Sequence, residues 1–330
     1  MTAIGPAMRI SKPRPREDWG LFGPASPTWR VWSHPTAIIA FQRSVVVETF
    51  DPFLAAAVHQ QNKVRYDARG RFDKTIQYFL TVAVGDSRAA IEASEILMRV
   101  HAKATGTEPV SGLPYSANDP ASQLWIHITG WQSNLICYER YGPGPLSAAD
   151  EQRYWAECAI AAELQTCNPA DVPRSRAEVR EYYAAMRPRL CLSENSAALV
   201  HYFLRTPRSQ GALGLWAGSH LMAAASIATI PRWMRRLGGF DQPAALDAAV
   251  VPAARLAVRA AALPSVARMV LAGMAPSALP VMNQVLRKEQ PLRAETLSPS
   301  QARQRYGRAA PPAAAARLVT TGAMTGAVTA

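Results

Sequence analysis

Apolar residues return at three- and four-residue intervals through most of the chain, and the breaks between these runs carry helix-start signals. Residues 38–47 form a short apolar segment. Asp51-Pro52 precedes a second run over 53–59, with Asp suited to the N-cap and Pro to the first turn. Residues 71–84 form a third. Asp86 opens a longer run in which Ala89, Ala90, Ala93, Ile96, Leu97 and Val100 share one face, and Asp119-Pro120 opens another carrying Leu124, Ile128, Trp131 and Leu135. Helical patterns follow at 147–164, 176–186 and 193–205, and residues 247–288 read as short Ala-rich helices interrupted by arginines and prolines. Val45-Val46-Val47 is strand-like, but no Asn-Gly hairpin or series of alternating segments accompanies it. The expected fold is all-α: a single large multi-helix domain over 19–300, with a flexible basic arm at 1–18 and a disordered Ala/Pro-rich tail at 301–330.

Residues 211–230 contain no charged residue over 20 positions, enough to span a bilayer. Glycine, serine and histidine dilute that segment and basic residues flank it on both sides, so a buried central helix and a helix dipping into a membrane surface are competing readings.

Composition narrows the class. In 330 residues, 36 basic against 24 acidic side chains give a formal charge of +12. The basic clusters (Arg9, Lys12, Arg14, Arg16; Arg232, Arg235, Arg236) lack the interleaved aromatics of a single-strand groove, and no zinc finger, RNA-recognition signature or helix-turn-helix is present, so nucleic acid is not an expected partner. Four cysteines without a CxxC or CxxCH exclude zinc ribbons, thioredoxin-type chemistry and covalent c-type haem attachment. They place the chain in or facing the cytoplasm, with membrane association as an option. HExxH, GxSxG, Walker A and strand-linked GxGxxG motifs are all absent.

Two groups of residues could carry chemistry. His101 edges the apolar face of its helix and His127 lies on the inward face of the next. A neutral imidazole in apolar surroundings suits an axial position on haem iron. A core histidine bonded to a carbonyl is the competing reading for each. Arg71, Lys74, Thr75 and Tyr78 fall on one helical face, where two cations, a hydroxyl and a phenol could receive an anionic propionate or a ligand oxygen; a solvated face is the competing reading.

The order RFDKT, Val84-Gly85-Asp86, RVHAKATG, YSANDPASQLWIHITG, GPLSAADEQRYWAE and ATIPRWMRRLGG resembles the bacterial family of latex-clearing protein, the rubber oxygenase, and the wider superfamily of the mycophenolic-pathway oxygenase, over roughly residues 20–240. The resemblance implies an all-α oxygenase holding non-covalent b-type haem (heme b), with dioxygen and a small apolar, isoprenoid- or lipid-like substrate as partners. It implies His101 as the iron ligand, His127 as a pocket residue or the alternative ligand, and Arg71, Lys74 and Thr75 as the distal catalytic group. Lys74 would be able to approach the iron. Trp125, Ile128, Trp131 and Phe79 are the expected pocket walls. The family's glutamate base has no counterpart in LAAAVHQQNKV; Glu48 is the nearest upstream carboxylate, and His59 is a substitute base. Two readings from other classes remain: a non-catalytic membrane- or lipid-associated helical protein, and a haem-binding sensor or carrier.

Overall fold

Helix starts fall where the capping residues predict them. The computed structural model describes residues 14–60, 63–204 and 213–307, with side chains described outside 60–69 and 205–215. Asp86 accepts from Ala89 N at the start of α5 (Ser87–His101), and Asp119 from Ser122 N at the start of α6 (Pro120–Tyr141). Ser147 does the same for α7 (Ala148–Ala162), and Ser175 for α8 (Arg176–Met186). Before them come α1 (Pro27–Trp32), α2 (Ala37–Glu48), α3 (Pro52–Gln60) and α4 (Lys63–Val84). After them come α9 (Glu194–Leu204), α10 (Leu213–Thr229), α11 (Arg232–Leu237), α12 (Ala244–Ala261), α13 (Pro264–Met274), α14 (Leu279–Leu286) and α15 (Pro299–Tyr306). The fold is all-α, with one small sheet among the described residues.

Val45–Val47 is helical, inside α2, with Val46 and Val47 fully buried. The sheet lies elsewhere: β1 (Thr105–Thr107) pairs antiparallel with β2 (Pro114–Ser116), Gly106 opposite Tyr115. This hairpin joins α5 to α6 and seats Tyr115 against Ala56 and Ala57 of α3. It thereby fixes the end of α5 relative to the start of α6.

The central seam is formed by α2 and α6, which run antiparallel: Arg43 meets Ser133 while Glu48 meets Thr129. The fully buried Arg43 donates to Ser133 Oγ (2.6 Å) and to the Thr229 carbonyl (3.3 Å), tying α2 to both α6 and α10. An aromatic cluster fills one side, with Trp32 stacked on Phe79 at 5.7 Å and edge-on to Trp131 at 5.5 Å. The charge-free segment becomes α10, whose Ala223, Ala225 and Ser226 are buried; residues 211–212 lie outside the described residues. Among the described residues no single helix is long and apolar enough to cross a membrane.

The end of the basic arm belongs to the folded domain. Arg16 is 1% exposed, donates to the Val84 carbonyl (2.7 Å) and lies over the Trp29 ring at 4.6 Å. Asp18 Oδ1 accepts from Gly20 N (2.8 Å) and Ser87 N (2.7 Å). Gly20 has φ +75°, and a Cβ there would meet the Gly85 carbonyl oxygen, so only glycine fits. Residues 16–20 pair through their backbone with Leu292, Arg293, Glu295 and Leu297, and α15 extends into the expected tail as far as Tyr306. The rest of both expected termini, 1–13 and 308–330, lies outside the described residues. Arg16→Ala removes a cation–π contact and two hydrogen bonds made by a buried cation, and should cost about 2–3 kcal/mol in urea unfolding.

Candidate active site

His101 occupies the last turn of α5, where the hairpin and α6 enclose it. The Gln123 amide nitrogen donates to the Ala117 carbonyl (2.5 Å) and reaches His101 Nδ1 at 3.2 Å. Nε2 has no hydrogen-bond partner among the described residues. Burial, reinforced by the nearby Arg71 charge, pushes the imidazole down to about 4, so it is neutral at physiological pH.

Glu48, the last residue of α2, faces the same region. Its Oε1 accepts from Thr129 Oγ1 (3.0 Å) and from Ser44 Oγ one turn back. Burial raises this carboxyl to about 7; the two hydroxyls and Arg71 pull in the opposite direction without restoring an ordinary value. A group of this kind changes protonation near neutrality.

Arg71 on α4 couples the two. Its guanidinium is desolvated enough to sit below its ordinary value, with Glu48 as the charge that opposes that shift. The side chain nevertheless keeps much of its surface accessible. Among the described residues the Arg71 guanidinium makes no hydrogen bond or ion pair, while its carbonyl accepts from Thr75.

The other expected site residues divide. Thr75 stays on the Arg71 face and donates its hydroxyl to the Arg71 carbonyl (2.9 Å), so it offers lone pairs to a ligand while Arg71 offers donors. Lys74 turns away: its ammonium donates to Ser277 Oγ (2.8 Å), which is also bound by Asp73 (2.6 Å). The Lys74 ammonium is thus bonded away from Arg71 in this structure. Both ring nitrogens of His127 are engaged. Nε2 donates to the Cys158 carbonyl (2.7 Å) and Nδ1 accepts from the Gln165 amide (3.3 Å). It is a core histidine, 1% exposed and pushed down to about 4 by burial. His59 lies in the last turn of α3, and no bond among the described residues links it to Arg71, Glu48 or His101.

The expected pocket walls are also core. Trp125 and Ile128 are fully buried, while Trp131 and Phe79 border a void of about 10 Å³, room for one water and no substrate. Tyr78 is buried beside that void.

Residues 29–263 match a family model described as the catalytic domain of ER-bound oxygenase mpaB/B'/Rubber oxygenase. The chain belongs to this family. No curated protein and no solved structure gives a significant match. The mpaB/rubber oxygenase domain contains α2 through α6 whole, and so holds Glu48, Arg71, Thr75 and His101 together.

The residue that sequence reasoning placed too far from Arg71 is Glu48. Its spacing gave no help, because the 22 positions between the two pass through a turn and a further helix. The usable signal was compositional: Gln42, Arg43, Ser44 and Glu48 interrupt an otherwise apolar helix, and polar groups on a buried helix need partners. A consequence for stability follows. The unfolded carboxyl ionises near its ordinary value of 4.5 and the folded one near 7, so the native state binds the extra proton between these values and loses stability as pH rises through them. Glu48→Gln should therefore raise the melting temperature relative to the parent at pH 8 and leave it unchanged at pH 4, measured by calorimetry.

Proposed function

We propose that this oxygenase-family domain is haem-dependent, with His101 as the iron ligand, and acts on an apolar, isoprenoid- or lipid-like substrate using dioxygen. The observation that carries the reading is the Arg71 guanidinium close enough to act electrostatically on both a neutral imidazole, His101, and a carboxyl pushed up to about 7, Glu48. Among the described residues no three His, Cys, Asp or Glu side chains converge to hold a metal ion. A single histidine suffices for iron that arrives with a macrocycle supplying its other ligands. The donor set therefore fits haem: His101 Nε2 for the metal, and Arg71 for a propionate or a ligand oxygen.

Bound haem would supply the activation of dioxygen. The chain's own residues do the rest. His101 would hold the iron through Nε2, with its ring proton on Nδ1, and Gln123 is the side chain within reach of that nitrogen to fix the ring. Arg71 stabilises negative charge where it develops, and its remoteness from bulk water strengthens the effect. Glu48 takes a proton from the substrate or returns one, with Ser44 and Thr129 holding the carboxylate in position. An apolar substrate suits a hollow from which water must be kept, and the family description itself names a rubber oxygenase. A carboxyl able to exchange a proton near neutrality favours an enzyme over a haem carrier.

The test is the visible spectrum of the full chain prepared with haem, with iron quantified. A Soret band at about one iron per chain is expected for a one-histidine site. His101→Ala should lose the band with helicity retained, and His127→Gln should keep it in the folded fraction. Glu48→Gln should keep the band and lower oxygen uptake with an isoprenoid alkene by about 100-fold or more, the usual contribution of a general base. A colourless protein after haem is added back overturns the haem reading.

A further inference from the structure

The chain between Asp247 and Glu289 contains no carboxylate side chain and five cations: Arg255, Arg259, Arg268, Arg287 and Lys288. Two helices in this stretch, α12 and α13, meet at a bend of 101°. On α12, Val250, Ala254 and Val258 recur every four residues and are buried, toward α10 and α6. The outward side is apolar too: Leu256 is 69% exposed, Leu263 at the bend 58%, and Met269 on α13 67%. Three large apolar side chains exposed within fourteen residues of chain, on two helices and the bend between them, suit an interaction surface.

Beside the corner lies a pocket of about 430 Å³, with Arg255 and Arg259 of α12 on one wall and His34, Tyr141 and Gly142 on the other. No carboxylate lines it. Arg255 Nε donates to the Arg140 carbonyl (3.0 Å), leaving its terminal nitrogens free of described partners, and the Arg259 guanidinium has no hydrogen bond or ion pair among the described residues. His34 Nδ1 contacts Thr36 through both its Oγ1 (3.0 Å) and its N (3.3 Å). The pocket is thus rich in donors and positive.

We propose that the α12–α13 corner docks on an anionic phospholipid surface, with Leu256, Leu263 and Met269 entering the interface and the Arg255–Arg259 pocket receiving a headgroup phosphate. Charge complementarity selects this occupant. Forty-one residues without a carboxylate repel no lipid phosphate, and the guanidiniums stand beside the apolar side chains as they do on helices lying in a membrane interface. The bend and the commitment of α12's inner face to α10 and α6 make the mode peripheral, with no helix crossing. The inference does not rest on the haem reading, and its test reads no oxygenase activity.

The experiment is flotation of the full chain with vesicles of phosphatidylcholine alone and of phosphatidylcholine mixed with phosphatidylglycerol. Binding is expected to the anionic vesicles only and to weaken as salt rises. Leu256→Ser/Leu263→Ser/Met269→Ser and Arg255→Glu/Arg259→Glu, each with unchanged helicity, should each lose binding; for the arginine pair the loss is roughly 30-fold or more, given about 1 kcal/mol per basic residue at such a surface. Equal binding to neutral vesicles, or anionic binding that survives both variants, overturns the proposal. So does self-association that the triple serine variant abolishes without any vesicle binding, which would assign the corner to a second copy. Thermal stabilisation by glycerol 3-phosphate with no flotation would assign the pocket to a soluble phosphate and overturn it equally.

Discussion

The antiparallel contact of α2 with α6 is the constraint on which the rest of the molecule depends. An apolar helix carrying Gln42, Arg43, Ser44 and Glu48 can be buried only if each polar group finds a partner, and the partners come from distant parts of the chain. Gln42 donates to the Phe203 carbonyl and accepts from Ser226; Arg43 takes Ser133 and the Thr229 carbonyl; Glu48 takes Thr129. These bonds fix α9, α10 and α6 around α2 at once. They also hold a carboxyl in a place where its charged form is poorly solvated, so the seam that organises the core prepares a proton-exchanging group at its end.

His101 is placed by a second, smaller device. The hairpin between α5 and α6 is only three residues per strand, yet it brings Gln123 to the ring and shields the imidazole from water. The two devices meet across Arg71, and the site is assembled from α2, α4 and α5 by tertiary contacts, with α6 supporting both of its ends.

What could be read in the sequence follows from that division. Helix starts are local, so Asp86, Asp119 and Ser147 announce α5, α6 and α7 correctly; the expected apolar face of α5 holds only in part, with Ala90 buried but Ile96 and Val100 each 53% exposed. Side-chain destination is not local. Lys74 shares a broad helical face with Arg71, but Ser277, 203 residues later, decides where its ammonium goes. His127 and the tryptophans of α6 show the same spacing as a cofactor pocket and prove to be packed core, because periodicity reports burial and not what causes it. The apolar run at 211–230 obeys the same rule: its hydrophobicity serves contacts with α2 and α12. Glu48 could be read as the nearest upstream carboxylate and as a polar break in an apolar helix, but not as a neighbour of Arg71, since that coupling joins residues on two different helices.

Arg71 and Glu48 influence one another electrostatically without forming an ion pair, and this separation matters for chemistry. A direct bridge between them would hold the carboxyl ionised well below neutrality and occupy the guanidinium's donors. Neither group would then be available. Held apart, each keeps an unmet requirement: a proton for the carboxyl, an anion for the guanidinium. The cost falls on stability above neutral pH, where the buried Glu48 carboxyl must carry its charge. Selection for stability alone would remove such an arrangement through a substitution as small as Glu48→Gln. That the arrangement sits inside the matched oxygenase domain, with a neutral histidine beside it, is what makes function the more economical explanation of its cost.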